Sequence, residues 1–103
     1  MLRRLPGVLC LLLLWCLPLQ AAEPDFPALT GRVVDQAHVL NGAAHRQLED
    51  RLAAHERATG QQVVVVTLRS LEGYAIDDYG YRLGRHWGIG RQGRDDGALV
   101  IIV

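Results

Sequence analysis

The stretch Gln62-Val63-Val64-Val65-Val66-Thr67-Leu68 decides how this chain folds. Four valines in a row, with no polar alternation, fit a strand buried on both faces. Such strands belong to parallel sheets that carry helices on either side. The flanks agree. Upstream, Asn41 offers a helix N-cap, Ala44, Leu48 and Leu52 recur every four residues, and Gly60 supplies a stop, which predicts a helix from about Gly42 to Thr59. Downstream, Ile76, Tyr79, Leu83 and Trp87 mark a second helical stripe that ends at Gly88.

Working outward, Arg32-Val33-Val34-Asp35 reads as a short strand and Ala98 to Val103 as a further apolar strand. The order β-α-β-α-β predicts an α/β fold with a mainly parallel sheet flanked by helices. The last six residues are all apolar, and five of them are large. Burying each large one is worth roughly 1.5–3 kcal/mol. Leaving them uncovered would forfeit about as much as a domain's whole net stability. The expectation is therefore a domain whose C-terminal part is missing, with any membrane anchor belonging to that missing segment.

The N-terminal end has a different logic. Met1-Leu2-Arg3-Arg4 is short and positive, Val8 to Leu17 is apolar, and Ala21-Ala22 is a small-residue exit. These are the three parts of a secretory signal peptide, and the apolar core is too short to span a bilayer comfortably. We expect residues 1–22 to be removed, 23–31 to form an extended arm, and 32–103 to be the front of the α/β domain. The mature chain would then be exported, to the periplasm or to the outer side of a membrane.

Cys10 and Cys16 both lie in the removed segment, so the mature chain has neither disulfides nor thiolate metal sites. Removal leaves nine arginines, no lysine and eleven carboxylates, with no basic stripe for nucleic acid.

Few residues carry chemistry. Gly88-Ile89-Gly90-Arg91-Gln92-Gly93 matches a dinucleotide fingerprint in letters only. There the glycines follow a helix and precede a strand, so no helix N-terminus faces a pyrophosphate. His38, His45, His55 and His86 form no pair at ligand spacing, and Ser70 sits in no nucleophile elbow. No catalytic residue is assigned. Asp95-Asp96-Gly97 has two readings. Adjacent carboxylates brought near a third, such as Asp35, would favour a bound cation, and all-oxygen ligation suits Ca²⁺ or Mg²⁺. The other reading is a solvated turn, which Asp and Gly favour on conformational grounds, with Asp35 capping a turn of its own. Arg91 and Arg94 have the chemistry to hold a phosphate, or they keep the loop soluble.

Four blocks together resemble the TPM domain family. They are Leu29-Thr30-Gly31-Arg32-Val33-Val34-Asp35, the helix after Leu40, Thr59-Gly60-Gln61-Gln62 with its valines, and Trp87-Gly88-Ile89-Gly90 through Asp95-Asp96-Gly97-Ala98-Leu99. The resemblance covers the front half to two-thirds of such a domain. It implies an exported domain with a helix-flanked sheet and an acidic pocket containing Asp35, Asp95 and Asp96.

Two functions follow from the resemblance. One is a divalent-metal-dependent phosphatase, a phosphoric monoester hydrolase of the acid-phosphatase kind. The other is a non-catalytic, metal-stabilised envelope module that helps assemble or maintain a membrane protein complex. Asp96 departs from the asparagine frequent in the family, and Gly80 from its small alanines. The hydrolase reading needs the three aspartates to converge at one edge of the sheet.

Overall fold

The computed structural model describes residues 23–90 and 96–103. The signal-peptide reading of residues 1–22 falls outside the described residues, as do Arg91, Arg94 and Asp95. Five elements follow in chain order: β1 (Val33–Asp35), α1 (Gly42–Thr59), β2 (Gln62–Thr67), α2 (Ile76–Trp87) and β3 (Gly97–Ile102). The three strands form one parallel sheet in the order β1-β2-β3, so the valine run is its central strand. The α/β class read from the sequence is the fold observed.

Both helices begin and end where local chemistry dictates. The Asn41 side chain accepts the Ala44 N–H at 2.8 Å, satisfying a donor that the first turn would otherwise leave unpaired. Gly60 and Gly88 close α1 and α2 in the left-handed conformation, at φ 76° and 66°, which costs a glycine nothing.

Successive strand residues face opposite sides of the sheet. On one side, Val34, Val66 and Leu68 pack with Tyr79 and Leu83 of α2 into the main core, with Leu99 and Ile101 beside them. Val33 and Val65 face the other side, where α1 lies over β1 and β2. Among the described residues no helix covers β3 on that side, and Val100 and Ile102 are exposed there.

Residues 23–30, the arm, carry no regular secondary structure and are fastened to α2. Phe26 meets Tyr79 edge-on at 5.5 Å between ring centroids, and Trp87 Nε1 donates to the Pro27 carbonyl at 2.9 Å. Ile76 departs from the helical stripe: it opens α2 and is exposed.

The outer edge of β1 is closed by a side chain. Glu49 of α1 accepts the backbone N–H groups of Arg32 and Val33, each at 2.9 Å. A carboxylate in this place occupies donors that would otherwise invite another strand. Arg32 in turn reaches Glu56 at 3.2 Å, so two turns of α1 hold one short strand.

Candidate functional site

Asp35 ends β1, and everything around it is built to use its carboxylate. Its register partner is Thr67, the last residue of β2. The Thr67 hydroxyl donates to Asp35 Oδ1 at 2.5 Å and accepts the Ala37 N–H at 3.1 Å. The backbone N–H groups of Val39 and Leu40 reach the same carboxylate at 3.1 and 2.9 Å. Three donors thus converge on one acid, and the chain turns over it from β1 toward α1. The Thr67 hydroxyl bond holds the Asp35 carboxyl below its ordinary value. Partial burial works against this, and the Leu40 and Val39 N–H groups and nearby His38 assist it. Thr67 was missed by sequence reasoning. Its signal in the sequence is a threonine closing a run of valines read as buried on both faces, where a hydroxyl needs a partner; in the fold Thr67 is 2% exposed.

Asp96 stands at the other end of the sheet. Gln62 opens β2 and pairs with Gly97, and its N–H donates to the Asp96 carbonyl at 2.9 Å. Asp35 is level with Thr67, five residues further along β2. Asp96, one residue before Gly97, is level with Gln61, so six residues at about 3.3 Å each put the two aspartates roughly 20 Å apart along the strands. Parallel pairing forces this, because Asp35 follows its strand and Asp96 precedes its own. The expected convergence of Asp35 with Asp96 is therefore corrected. Both remain at sheet edges, but at opposite ones. Among the described residues, no three His, Cys, Asp or Glu side chains gather closely enough to hold a metal ion. The described groups do not fit a cation shared between these two acids.

The backbone beside Asp96 is closely packed. A small cleft of about 230 Å³ is lined by Glu56, Gly60, Gln62, Gly90 and Asp96. Gln62 Oε1 accepts the Gly90 N–H at 2.9 Å, and Gly90 has φ 78°. A Cβ placed on Gly97 would stand 2.6 Å from the Gly90 nitrogen, so only glycine allows these two backbones to meet. Glu56 already pairs with Arg32.

A larger cleft, of about 430 Å³, opens at the carboxyl ends of β1 and β2. The arm supplies one wall with Phe26 and Pro27, and Gln36, His38, Arg69 and Ser70 follow directly from the two strands. Tyr79 forms its floor. Burial, with Glu72 and Asp25 nearby, raises the Tyr79 pKa and keeps its phenol protonated.

The family model for the TPM domain, which bears the name TPM phosphatase, matches residues 33–103. The chain belongs to the TPM domain family. It is also similar to the solution NMR structure of the N-terminal domain of a protein from P. gingivalis, with a TM-score of 0.66 and 26% sequence identity. That likeness covers 82% of this chain and 59% of the other, so the chain spans less than two-thirds of the length of that TPM-type neighbour. No curated protein matches. The family expected from the four sequence blocks is thus what the comparisons find.

Proposed function

We propose that this TPM chain is the front of an exported module that works outside the cytoplasm by binding, and that it assists the assembly or maintenance of a membrane protein complex. One observation carries the reading. The Asp35 carboxylate is committed to Thr67, Val39 and Leu40, and it lies at the opposite end of the sheet from Asp96. A hydrolase of the expected kind needs these acids around one cation, whereas a binding module needs only the rigid sheet they help build. Export is supported by the charged start, short apolar core and Ala21-Ala22 exit.

The second reading, a metal-dependent phosphatase, is favoured by the name of the family model. In that reading Ca²⁺ or Mg²⁺ would be held by Asp95 and Asp96 at the amino end of the sheet, with Arg91 and Arg94 for phosphate. Phosphate release from p-nitrophenyl phosphate by the full-length mature protein separates the two. With Ca²⁺, Mg²⁺ or EDTA, the binding reading expects the same background rate, unchanged by Asp96→Asn. Cation-dependent hydrolysis that disappears in Asp96→Asn would replace it with the second reading. N-terminal sequencing of the exported protein is expected to begin at Ala22 or Glu23, and an intact Met1 would contradict export with cleavage.

A further inference from the structure

The cleft at the carboxyl ends of β1 and β2 has no part in the reading above, yet it is roomier than the cleft beside Asp96, about 430 against 230 Å³, and it is well supplied with donors. In open parallel sheets, ligands settle beyond the carboxyl ends of the strands, where loops diverge. The cleft occupies that place, and its 430 Å³ falls within the range of small-molecule sites. Two non-glycine residues in the described chain adopt left-handed backbone, His38 and Glu72, both at φ 54°. Both line this cleft. Such conformations persist only where surrounding bonds over-determine them. Here the Asp35 carbonyl and carboxylate fix the loop of His38, while Glu72 takes the Asp25 N–H at 3.1 Å.

The donors outnumber the acceptors. The Arg69 guanidinium and the Gln36 amide make no hydrogen bond or ion pair among the described residues. Ser70 Oγ accepts from the Glu72 N–H at 3.4 Å, which leaves its proton to give. His38 adds a ring N–H. Against these stand two carboxylates, Asp25 and Glu72, and Glu72 is already engaged by the arm. A donor-rich cleft calls for an acceptor-rich ligand. The two acids set its charge, since a dianionic phosphate would meet about twice the repulsion of a singly charged group. Guanidinium binds a carboxylate in bidentate fashion, and the Phe26 ring, backed by the buried Tyr79, offers an apolar wall to whatever the carboxylate carries.

We propose that the cleft between the arm and the carboxyl ends of β1 and β2 binds a small monocarboxylate, with Arg69 as its principal anchor and Gln36, His38 and Ser70 as supporting donors. The arm is then part of the binding site, held in place by Trp87 and Tyr79.

Benzoate is a suitable probe, titrated into the full-length mature protein at constant ionic strength, with inorganic phosphate and chloride in parallel. NMR amide shifts report the binding and its place. The expected result is saturable binding of benzoate with shifts at Gln36, His38, Arg69 and Ser70, and none with chloride. Arg69→Ala is expected to weaken it about tenfold or more, the ordinary effect of losing a charged hydrogen-bond donor. Arg51→Ala, on the exposed face of α1 and away from the cleft, is expected to leave it unchanged. Arg69 is exposed, so its variant is expected to melt with the parent in the absence of benzoate. Three outcomes overturn the proposal: no saturable binding, binding indifferent to Arg69→Ala, or phosphate bound as tightly as benzoate.

Discussion

Thr67 and Asp35 are opposite each other at the ends of two parallel strands, and the hydroxyl of one is bonded to the carboxylate of the other. That pair turns the first loop of the domain. It also holds Asp35 at the opposite end of the sheet from Asp96, too far for one ion to join the two.

The pair should show in the pH dependence of stability. The folded Asp35 pKa lies below its ordinary value of 3.8, so the proton binds the unfolded chain more readily. The stabilisation is present in full above that ordinary value and is lost as pH falls through the lower, folded value. Asp35→Asn is expected to lower the melting temperature at pH 7, with the gap to the parent closing in acid below about 3.8. A gap that stays constant down to pH 2 would assign the loss to something other than the carboxylate charge.

Glu49 should matter more than a surface acid. Glu49→Ala leaves the Arg32 and Val33 N–H groups without their acceptor at an open sheet edge. The expected cost is about 1–3 kcal/mol in urea unfolding, together with faster amide exchange at Val33. Glu49→Gln keeps an acceptor oxygen and should recover part of it. Equal losses for both variants would contradict the edge-closing role.

The two glycine positions should behave oppositely. A Cβ on Gly80 would touch only the flexible end of Ile101, at 3.0 Å, whereas a Cβ on Gly97 would meet the Gly90 backbone at 2.6 and 2.7 Å. Gly80→Ala gains helix propensity of up to about 1 kcal/mol and is expected to leave stability level or slightly raised. Gly97→Ala is expected to destabilise by roughly 1–3 kcal/mol, because backbone cannot move aside as a side-chain tip can. Thermal unfolding of the two variants checks both signs.

Trp87 ties the arm to α2. Trp87→Phe keeps an aromatic ring but removes the Nε1 donor to Pro27, which is expected to cost about 1 kcal/mol and to increase exchange at Asp25 and Phe26. An arm whose protection is unchanged would mean that Phe26 alone holds it.

The elements were legible because local rules agreed with the global fold. Asn41 and Gly60 bound α1 at the residues expected, and the valine run is the central strand it resembled. The site was not legible, and the reason is geometric. Spacing along the chain showed two acidic turns beside two strands, but parallel pairing puts a residue after one strand and a residue before another at opposite ends of the sheet. Asp35 and Asp96 look equivalent in sequence and are separated by the length of β2. The carboxyl-end cleft was hidden for a related reason. Its residues come from the arm, two strand ends and one helix, and only the fold assembles them.

A Mn²⁺ titration of the full-length, ¹⁵N-labelled mature protein tests the separation of Asp35 from Asp96 most directly, since the ion bleaches nearby amide signals. Ala37, Val39 and Leu40 are expected to keep their intensity at stoichiometric Mn²⁺, whether or not Gln62, Gly90 and Gly97 lose theirs. Joint bleaching of Val39 and Leu40 with Gly97 at that ratio would contradict that separation, because one ion would then be serving both ends of the sheet.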